Sequence, residues 1–153
     1  MVDQNNITEE IIGAAIEVHK ILGPGLLESA YEACLVYELT QRDLSVKRQQ
    51  PLNLKYKGIE LDCAYRLDLL VEDKVIVELK TVEKLTDVHT AQLISYLKIA
   101  DLEVGLLINF NVKFTMDGIK RVVNKFKEKS HKAGNQKKSS ADSATSAVKS
   151  RCR

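Results

Sequence analysis

The stretch from Asp68 to Lys80, "DLLVEDKVIVELK", is the most informative segment of the sequence, because its pattern is typical of an apolar hairpin but includes charged residues. Leucine, isoleucine and valine occur at a density typical of β-strands on both sides of the polar break at residues 72–74. Asp68, Glu78 and Lys80 occupy positions at which a buried strand normally carries no charge. The pattern therefore predicts two paired strands that bear a group of ionisable side chains.

The length of the hairpin loop decides which of these side chains meet. Glu78 and Lys80 share one face of their strand, because side chains alternate along a strand. If residues 72–74 form a three-residue loop, Asp68 lies opposite Glu78, with about 5 Å between the Cβ atoms. A two-residue loop places Asp68 opposite Val77 instead, so the prediction of a carboxylate pair depends on the register.

Two carboxylates that face each other on a half-buried hairpin destabilise the fold unless something offsets their repulsion. A divalent cation such as Mg²⁺ does so, since it prefers hard oxygen ligands. The alternative is that Asp68 and Glu78 form ordinary ion pairs with Lys80 and Arg66. The spacing alone leaves both interpretations open.

Periodicity assigns the rest of the chain to an α/β fold. A helix over residues 5–22 is indicated by its apolar face, with Asn6 and Glu9 as an expected capping box. The element order is α-α-β-β-β-α-β, which predicts a mixed sheet flanked by helices. The other predicted elements are a helix over 26–41, strands over 45–56, 59–71 and 75–80, a helix over 87–99, a strand over 104–110 and a short fifth strand over 118–123.

Charge divides the chain of 153 residues into two parts. Residues 1–124 hold 14 basic and 19 acidic residues, a balance of −5, whereas residues 125–153 hold 9 basic and 2 acidic residues, a balance of +7. The segment 128–153 is rich in Ser and Lys and almost free of large apolar residues, so we predict a disordered tail. Residues 1–127 are predicted to form one domain.

The sequence predicts a cytoplasmic protein. No stretch is apolar enough to cross a bilayer, and the N-terminus lacks the layout of a signal peptide. Cys34, Cys63 and Cys152 are odd in number and far apart, with no C-x-x-C pair that would suggest zinc or a disulfide framework.

The hairpin resembles the metal-binding hairpin of the PD-(D/E)XK nuclease superfamily. In "YRLDLL…VIVELK", Asp68, Glu78 and Lys80 stand at the signature positions, and Leu67 replaces the proline of the motif name. The closest resemblance is to the GxxExxY protein family, whose motif is matched by "GLLESAY" with Glu28 and Tyr31. Further matching segments are "AAIEVHKILGPG", "AQLISYLK" and "GLLINF", so the likeness covers about residues 7–124.

The resemblance implies a restriction-endonuclease-like fold and a metal-dependent active site. By analogy, Asp68 and Glu78 would bind Mg²⁺ or Mn²⁺, and Lys80 would position the attacking water. Glu28 would be a further carboxylate ligand, although an acidic residue in the first turn of a helix is favoured regardless of function. Tyr31 belongs to the same motif and is expected to support the site or bind substrate.

The helix that follows the central hairpin carries a second group of polar residues. Gln92 and Tyr96 resemble the Q-x3-Y motif of RecB-like members of the superfamily and would contact a phosphate or a base, or hold Lys80. His89 shares their face, and we interpret it as a polar flank of an amphipathic helix. His19 on the first helix is interpreted as a hydrogen-bonded structural histidine.

The function that follows is metal-dependent hydrolysis of phosphodiester bonds in DNA or RNA. The alternative is a catalytically silent module that binds nucleic acid or protein, because the domain is acidic and its basic residues form at most a local patch, Lys47, Arg48, Lys55 and Lys57. Tyr and Phe do not cluster with basic residues, so no base-stacking platform is expected. A homodimer fits the resemblance, although no segment indicates a dimer interface.

Overall fold

The computed structural model describes residues 3–125, except for the side chains of residues 63 and 64. Within that range the predicted element order and α/β class are confirmed, and the short fifth strand is present. The predicted tail, residues 128–153, lies outside the described residues, so it and the domain boundary stay predictions. No helix among residues 3–125 is both long and apolar enough to cross a membrane. The elements are α1 (Gln4–Leu22), α2 (Glu28–Gln41), β1 (Val46–Tyr56), β2 (Ile59–Val71), β3 (Val75–Lys80), α3 (Asp87–Ala100), β4 (Val104–Asn109), a 3-10 turn (Thr115–Gly118) and β5 (Ile119–Val123).

The described strands form one mixed sheet in the order β1-β2-β3-β4-β5. Strands β3 and β4 are parallel, and the other neighbouring pairs are antiparallel. A parallel pair needs a crossover connection, which α3 provides. The crossover places the C-terminal end of β3, with Lys80, at the same edge of the sheet as the C-terminal end of β4.

Helices cover both faces of the sheet. Helices α1 and α2 bury their apolar sides against one face of β3 and β4, where Val77 and Leu79 of β3 lie. Helix α3 covers the other face, where Ile76 lies. Gly105 of β4 allows α3 to approach closely, because a Cβ atom there would lie 2.9 Å from a methyl carbon of Leu93. Glu78 and Lys80 therefore belong to the face that α3 covers.

The central hairpin has the three-residue loop on which the carboxylate pair depends. Val71 pairs with Val75, and the amide of Lys74 donates to the Val71 carbonyl at 3.0 Å. The regular pairing of β2 with β3 stops at Leu69 opposite Val77. Since β-strand pairing is stepwise, the next opposed positions are Asp68 and Glu78, and the first of the two predicted registers is confirmed.

Beyond that point β2 leaves β3 but remains paired with β1 as far as Tyr56 opposite Ile59. We call residues 51–66 of this two-stranded ribbon the arm. One side of the arm packs against α3, since Leu52 is buried in the same cluster as Leu97 of that helix. Farther along the arm, a cleft separates Leu54 and Tyr65 from α3. Gln92 of α3 lines this cleft and contacts Lys80, so the cleft lies next to the end of β3.

Strand β2 is irregular where it leaves β3. Leu67 packs with the core on the α3 side, whereas Leu69 packs with the core under α1 and α2. Residues two apart in a regular strand share a face, so the chain changes face around Asp68. Gln49 of β1 lies between the paired positions on either side of Asp68 and has a left-handed backbone, with φ of 48°. Irregularities of this kind re-aim a side chain next to a functional site.

The predicted capping box of the first helix is wrong. Asn6 and Glu9 lie inside α1, and the N-cap position is Asp3, whose side chain makes no capping bond. The capping-box pattern failed because burial, rather than capping, stabilises this helix. Ile7 and Ile11 are fully buried in the core, and a helix that is secured by packing can begin a turn earlier than its cap pattern suggests.

Candidate active site

Asp68 and Glu78 meet at the point where the two central strands separate. The backbone amide of Asp68 donates to Oε1 of Glu78 at 3.1 Å, and the amide of Leu79 donates to Oδ2 of Asp68 at 2.9 Å. Each carboxylate thus accepts from a backbone amide at a point where the regular hydrogen bonding between β2 and β3 has stopped. The pair is therefore held in a fixed position by the main chain of both strands.

Burial makes the charge on Glu78 unfavourable. The side chain is only 4% exposed, and burial, followed by the nearby charge of Asp68, raises the pKa of Glu78 from 4.5 to about 8. A hydrogen bond between the two side chains also raises this pKa, while the Lys80 ammonium lowers it. In the absence of a cation, Glu78 therefore keeps a proton at neutral pH.

Lys80 does not neutralise the pair by a direct ion pair. Its Nζ donates to Oε1 of Gln92 on α3 at 3.2 Å. Ion pairs among the described residues include those of Arg42 with Glu10, Lys47 with Asp73 and Arg48 with Glu32. The alternative of ordinary ion pairs that use Lys80 and Arg66 is thus wrong for the described part of the chain.

Gln92 and Tyr96 continue the polar network along α3. Burial raises the pKa of Tyr96, as do the charges of Glu78 and of other acidic groups, whereas a hydrogen bond from Gln92 lowers it. Tyr96 is thus close enough to the carboxylates to feel their charge. Of the three roles considered for Gln92, the structure shows contact with Lys80.

Glu28 is the first residue of α2 and faces the same group of charges. Burial raises the pKa of Glu28, the charge of Asp68 raises it further, and the charge of Lys80 opposes the shift. The structure therefore brings Glu28 near Asp68 and Lys80, although α2 and the hairpin are far apart in sequence.

Tyr31 fixes the loop that precedes Glu28. Its ring is fully buried and stacks on Phe110 with 4.5 Å between the ring centroids. Its hydroxyl donates to the Gly23 carbonyl and accepts from the Leu26 amide. These contacts are all with the protein's own chain, and a supporting role of Tyr31 in the site stays a prediction.

Glu32 is a supporting residue that the sequence analysis missed. It is only 7% exposed, and its two oxygens accept bonds from Arg48 at 3.1 Å and from Gln49 at 2.9 Å. Gln49 is the residue of β1 with the left-handed backbone near Asp68, and Arg48 precedes it. Glu32 thus ties α2 to the strand segment that positions the carboxylate. No sequence pattern marks it, because its partners lie 16 and 17 residues away.

Asn109 supports the chain that leaves β3. It lies opposite Lys80 in β4 and is only 2% exposed. Its side chain accepts from the Val82 amide at 3.1 Å and donates to the Val82 carbonyl at 2.9 Å. A polar residue within the apolar run "VGLLINF" was the available signal, and the sequence analysis did not use it.

His19 has the hydrogen-bonded structural role that was predicted, whereas His89, which was interpreted as a polar flank, takes part in the capping box of α3. Nε2 of the buried His19 donates to the Val112 carbonyl at 2.7 Å. Nδ1 of His89 accepts from the Thr86 amide at 3.0 Å at the start of α3. Neither contact is with the carboxylate pair.

The donor set fits a hard divalent cation with few protein ligands. Across residues 3–125, no group of three or more His, Cys, Asp or Glu side chains is arranged to hold a metal. Asp68 and Glu78 form a pair, and Mg²⁺ is commonly held by one or two carboxylates, with water and substrate oxygens as the other ligands. A cation would also remove the repulsion that raises the pKa of Glu78. Glu28 as a third ligand stays a prediction.

The expected basic patch is largely neutralised in the structure. Lys47 pairs with Asp73 at 2.7 Å, and Arg48 pairs with the buried Glu32. Lys57 lies over its neighbouring Tyr56 ring, 5.5 Å from the centroid. These contacts direct the charges to partners within the chain rather than to one continuous surface.

The fold and this site together define the restriction-endonuclease-like class of α/β proteins, with a mixed sheet between helices and its charged residues at the end of the central hairpin. The family model described as the PD-(D/E)XK nuclease superfamily matches residues 5–122, from α1 to β5. The chain belongs to that superfamily. No curated protein and no solved structure matches it.

Proposed function

We propose that this protein is a Mg²⁺- or Mn²⁺-dependent nuclease that hydrolyses phosphodiester bonds in DNA or RNA. The observation that supports this function is the hydrogen-bonded pair of Asp68 and Glu78, with Lys80 on the same strand face. Membership of a nuclease superfamily agrees with it. Burial makes the charge on Glu78 unfavourable, and a bound divalent cation would offset that cost.

We also assign the chain to the GxxExxY branch of the superfamily. Gly25, Glu28 and Tyr31 match its motif, and each has a role in the structure. Gly25 has a φ of 96°, a conformation that glycine adopts without strain, in the loop that Tyr31 fastens. The motif thus presents Glu28 towards Asp68.

In the proposed hydrolysis, different residues of the chain would bind the cation, stabilise charge and orient water. When bound, the cation supplies Lewis acidity and lowers the pKa of a bound water. Asp68 and Glu78 would hold it. Lys80, oriented by Gln92, would stabilise the negative charge that develops on the phosphate and orient the attacking water. Glu28 would add a negative charge beside the cation.

The test is cleavage of labelled single- and double-stranded DNA and RNA in the presence of Mg²⁺ or Mn²⁺. We expect the wild-type protein to cut at least one of these substrates, and chelation of the metal to stop the reaction. Glu78→Gln should abolish cleavage while preserving the fold, because glutamine has nearly the same shape and resembles the protonated carboxyl.

Glu83→Gln is the matched control, because Glu83 is exposed and lies a few residues beyond the site. It should cut as the wild type does. Equal cleavage by wild type and Glu78→Gln would contradict the proposed mechanism.

A silent binding module remains the second candidate, favoured by the balance of −5 over residues 1–124. In that case the folded wild-type protein would bind a nucleic acid or a protein without cutting any of the four substrates. The homodimer and the cytoplasmic location stay predictions, and sedimentation of the full chain would test the first of them.

A further inference from the structure

The cleft between the arm and α3 contains a cavity of about 500 Å³. A cavity of this size is in the range that accommodates small organic ligands. Its walls are mainly apolar and aromatic, but the polar Gln92 and Ser95 and the charged Lys98 also line it. The apolar and aromatic lining consists of Leu54 and Tyr65 of the arm and Tyr96 and Ile99 of α3.

The cavity is continuous with the candidate active site. Gln92 lines the cavity and also accepts the hydrogen bond from Lys80. Tyr96 likewise lines it and is close enough to feel the charge of Glu78. A group bound in the cavity would therefore lie beside a phosphate held at the carboxylate pair.

Two aromatic rings form one corner of the cavity. The centroids of Tyr65 and Tyr96 are 6.1 Å apart, and the ring planes are inclined by 59°. The rings thus contact each other in a tilted arrangement rather than face to face. Tyr65 is 41% exposed, so its ring is accessible to a flat ligand.

Charge disfavours recognition of a duplex through its phosphates alone. Binding to a duplex backbone depends on several Lys and Arg contacts, whereas Lys47 and Arg48 are paired within the protein. Proteins that bind single strands add the stacking of bases on aromatic side chains to their electrostatic contacts. An apolar cavity with an accessible tyrosine fits the stacking component.

We propose that the cleft binds an unpaired nucleobase stacked on Tyr65, so that the substrate is single-stranded or carries unpaired nucleotides at the cleaved bond. The position of the cleft relative to the cut depends on the proposed nuclease function, but the binding itself does not. The sequence analysis expected no stacking platform, because Tyr65 and Tyr96 come together only in the fold.

The test is equilibrium binding of short labelled oligonucleotides to the full chain, measured by fluorescence anisotropy. All variants carry Glu78→Gln to prevent cleavage. Tyr65→Leu keeps apolar bulk but removes the ring, and it should weaken binding of single-stranded DNA or RNA roughly 5- to 150-fold. Tyr65→Phe keeps the ring and should bind as the parent does. Separate DNA and RNA arms show which strand is used.

Tyr56→Leu is the matched control, since Tyr56 is an exposed tyrosine on the same arm that does not line the cavity. The basic C-terminal segment is common to all variants, so its non-specific contribution cancels. A 2-aminopurine in the oligonucleotide should be quenched by the parent and not by Tyr65→Leu.

Unchanged single-strand binding by Tyr65→Leu would overturn the proposal, as would equal weakening of single-strand and duplex binding. The two proposals can fail separately. Cleavage that depends on Glu78 but not on Tyr65 would support the nuclease function and contradict base binding in the cleft. Binding that depends on Tyr65, without cleavage by wild-type protein, would support base binding and contradict the nuclease function.

Discussion

Asp68 and Glu78 each accept a hydrogen bond from the backbone of the opposite strand. The side chain of Asp68 accepts from the Leu79 amide at 2.9 Å, and the side chain of Glu78 accepts from the Asp68 amide at 3.1 Å. The two carboxylates thereby satisfy amides that the separated strands would otherwise leave without backbone partners. This explains how the hairpin can open without unpaired buried amides at this point. The same arrangement holds the two carboxyl groups so close together that the negative charge of Asp68 disfavours a negative charge on Glu78.

The first prediction concerns the pH dependence of stability without metal. Because the pKa of Glu78 rises from 4.5 to about 8 on folding, the folded protein keeps a proton that the unfolded chain loses. This stabilisation is complete below pH 4.5 and is lost as the pH rises through about 8. Denaturant unfolding should show a loss of a few kcal/mol across this window.

Glu78→Gln should remove most of that decline, because glutamine does not titrate. Glu83→Gln should retain it. A divalent cation that binds the folded protein should reduce the decline, since it replaces the proton. An identical pH profile for wild type and Glu78→Gln would show that Glu78 titrates normally.

The second prediction concerns the bond between Glu32 and Arg48. A double-mutant cycle with Glu32→Gln and Arg48→Met should give a coupling of about 1–2 kcal/mol, because Glu32 is buried although Arg48 is half exposed. Cleavage by Glu32→Gln should also fall, since the irregular segment opposite Asp68 is released.

The pair of Glu10 and Arg42 serves as the control for that cycle. It has a shorter distance of 2.8 Å, but both side chains are substantially exposed. Its coupling should be only about 0.2–1 kcal/mol, and cleavage should not change. A larger coupling for the exposed pair would contradict the role of burial.

The third prediction concerns Asn109. Asn109→Leu should destabilise the fold by about 3 kcal/mol, because it leaves the Val82 amide without its partner and the Val82 carbonyl with only the long bond from Asn111. Asn111→Ala is the control, since Asn111 is exposed and its bond to Val82 is long, 3.4 Å. It should cost less than about 0.5 kcal/mol. Equal effects in thermal or denaturant unfolding would rule out the proposed role of Asn109.

The fourth prediction separates the two contributions of Tyr31. Tyr31→Phe keeps the ring stacked on Phe110 but removes the hydroxyl that joins Gly23 to Leu26. We expect a loss of about 1–2 kcal/mol in the free energy of unfolding. Tyr37→Phe, at a 62% exposed position, should have almost no effect. Faster hydrogen exchange at the Leu26 amide in Tyr31→Phe would locate the change in the loop.

The sequence predicted the fold well because the strand boundaries coincide with local signals. The polar break at residues 72–74 marks the loop, so this short segment limited the possible partners of Asp68 to Glu78 and Val77, and the three-residue loop of the structure selects Glu78. The Lys57-Gly58 turn worked in the same way, since both residues have the positive φ that tight hairpins require.

Contacts between distant segments could not be predicted. Glu32 and Tyr65 acquire their roles from partners on other elements, and nothing in their neighbouring sequence indicates those partners. For the same reason, the sequence did not indicate that Lys47 and Arg48 have acidic partners, which only the fold brings near. For Glu28, the expectation of a place at the site came from the resemblance to a family and not from the periodicity of the sequence.

We propose that a divalent cation replaces the proton that Glu78 keeps in the folded protein. Calorimetric titration of the full chain with Mn²⁺ near neutral pH, in two buffers of different ionisation enthalpy, measures both binding and proton release. We predict one bound Mn²⁺ with release of about one proton, and loss of that binding in Glu78→Gln but not in Glu83→Gln. Absence of binding, or binding that Glu78→Gln leaves unchanged, would contradict the account.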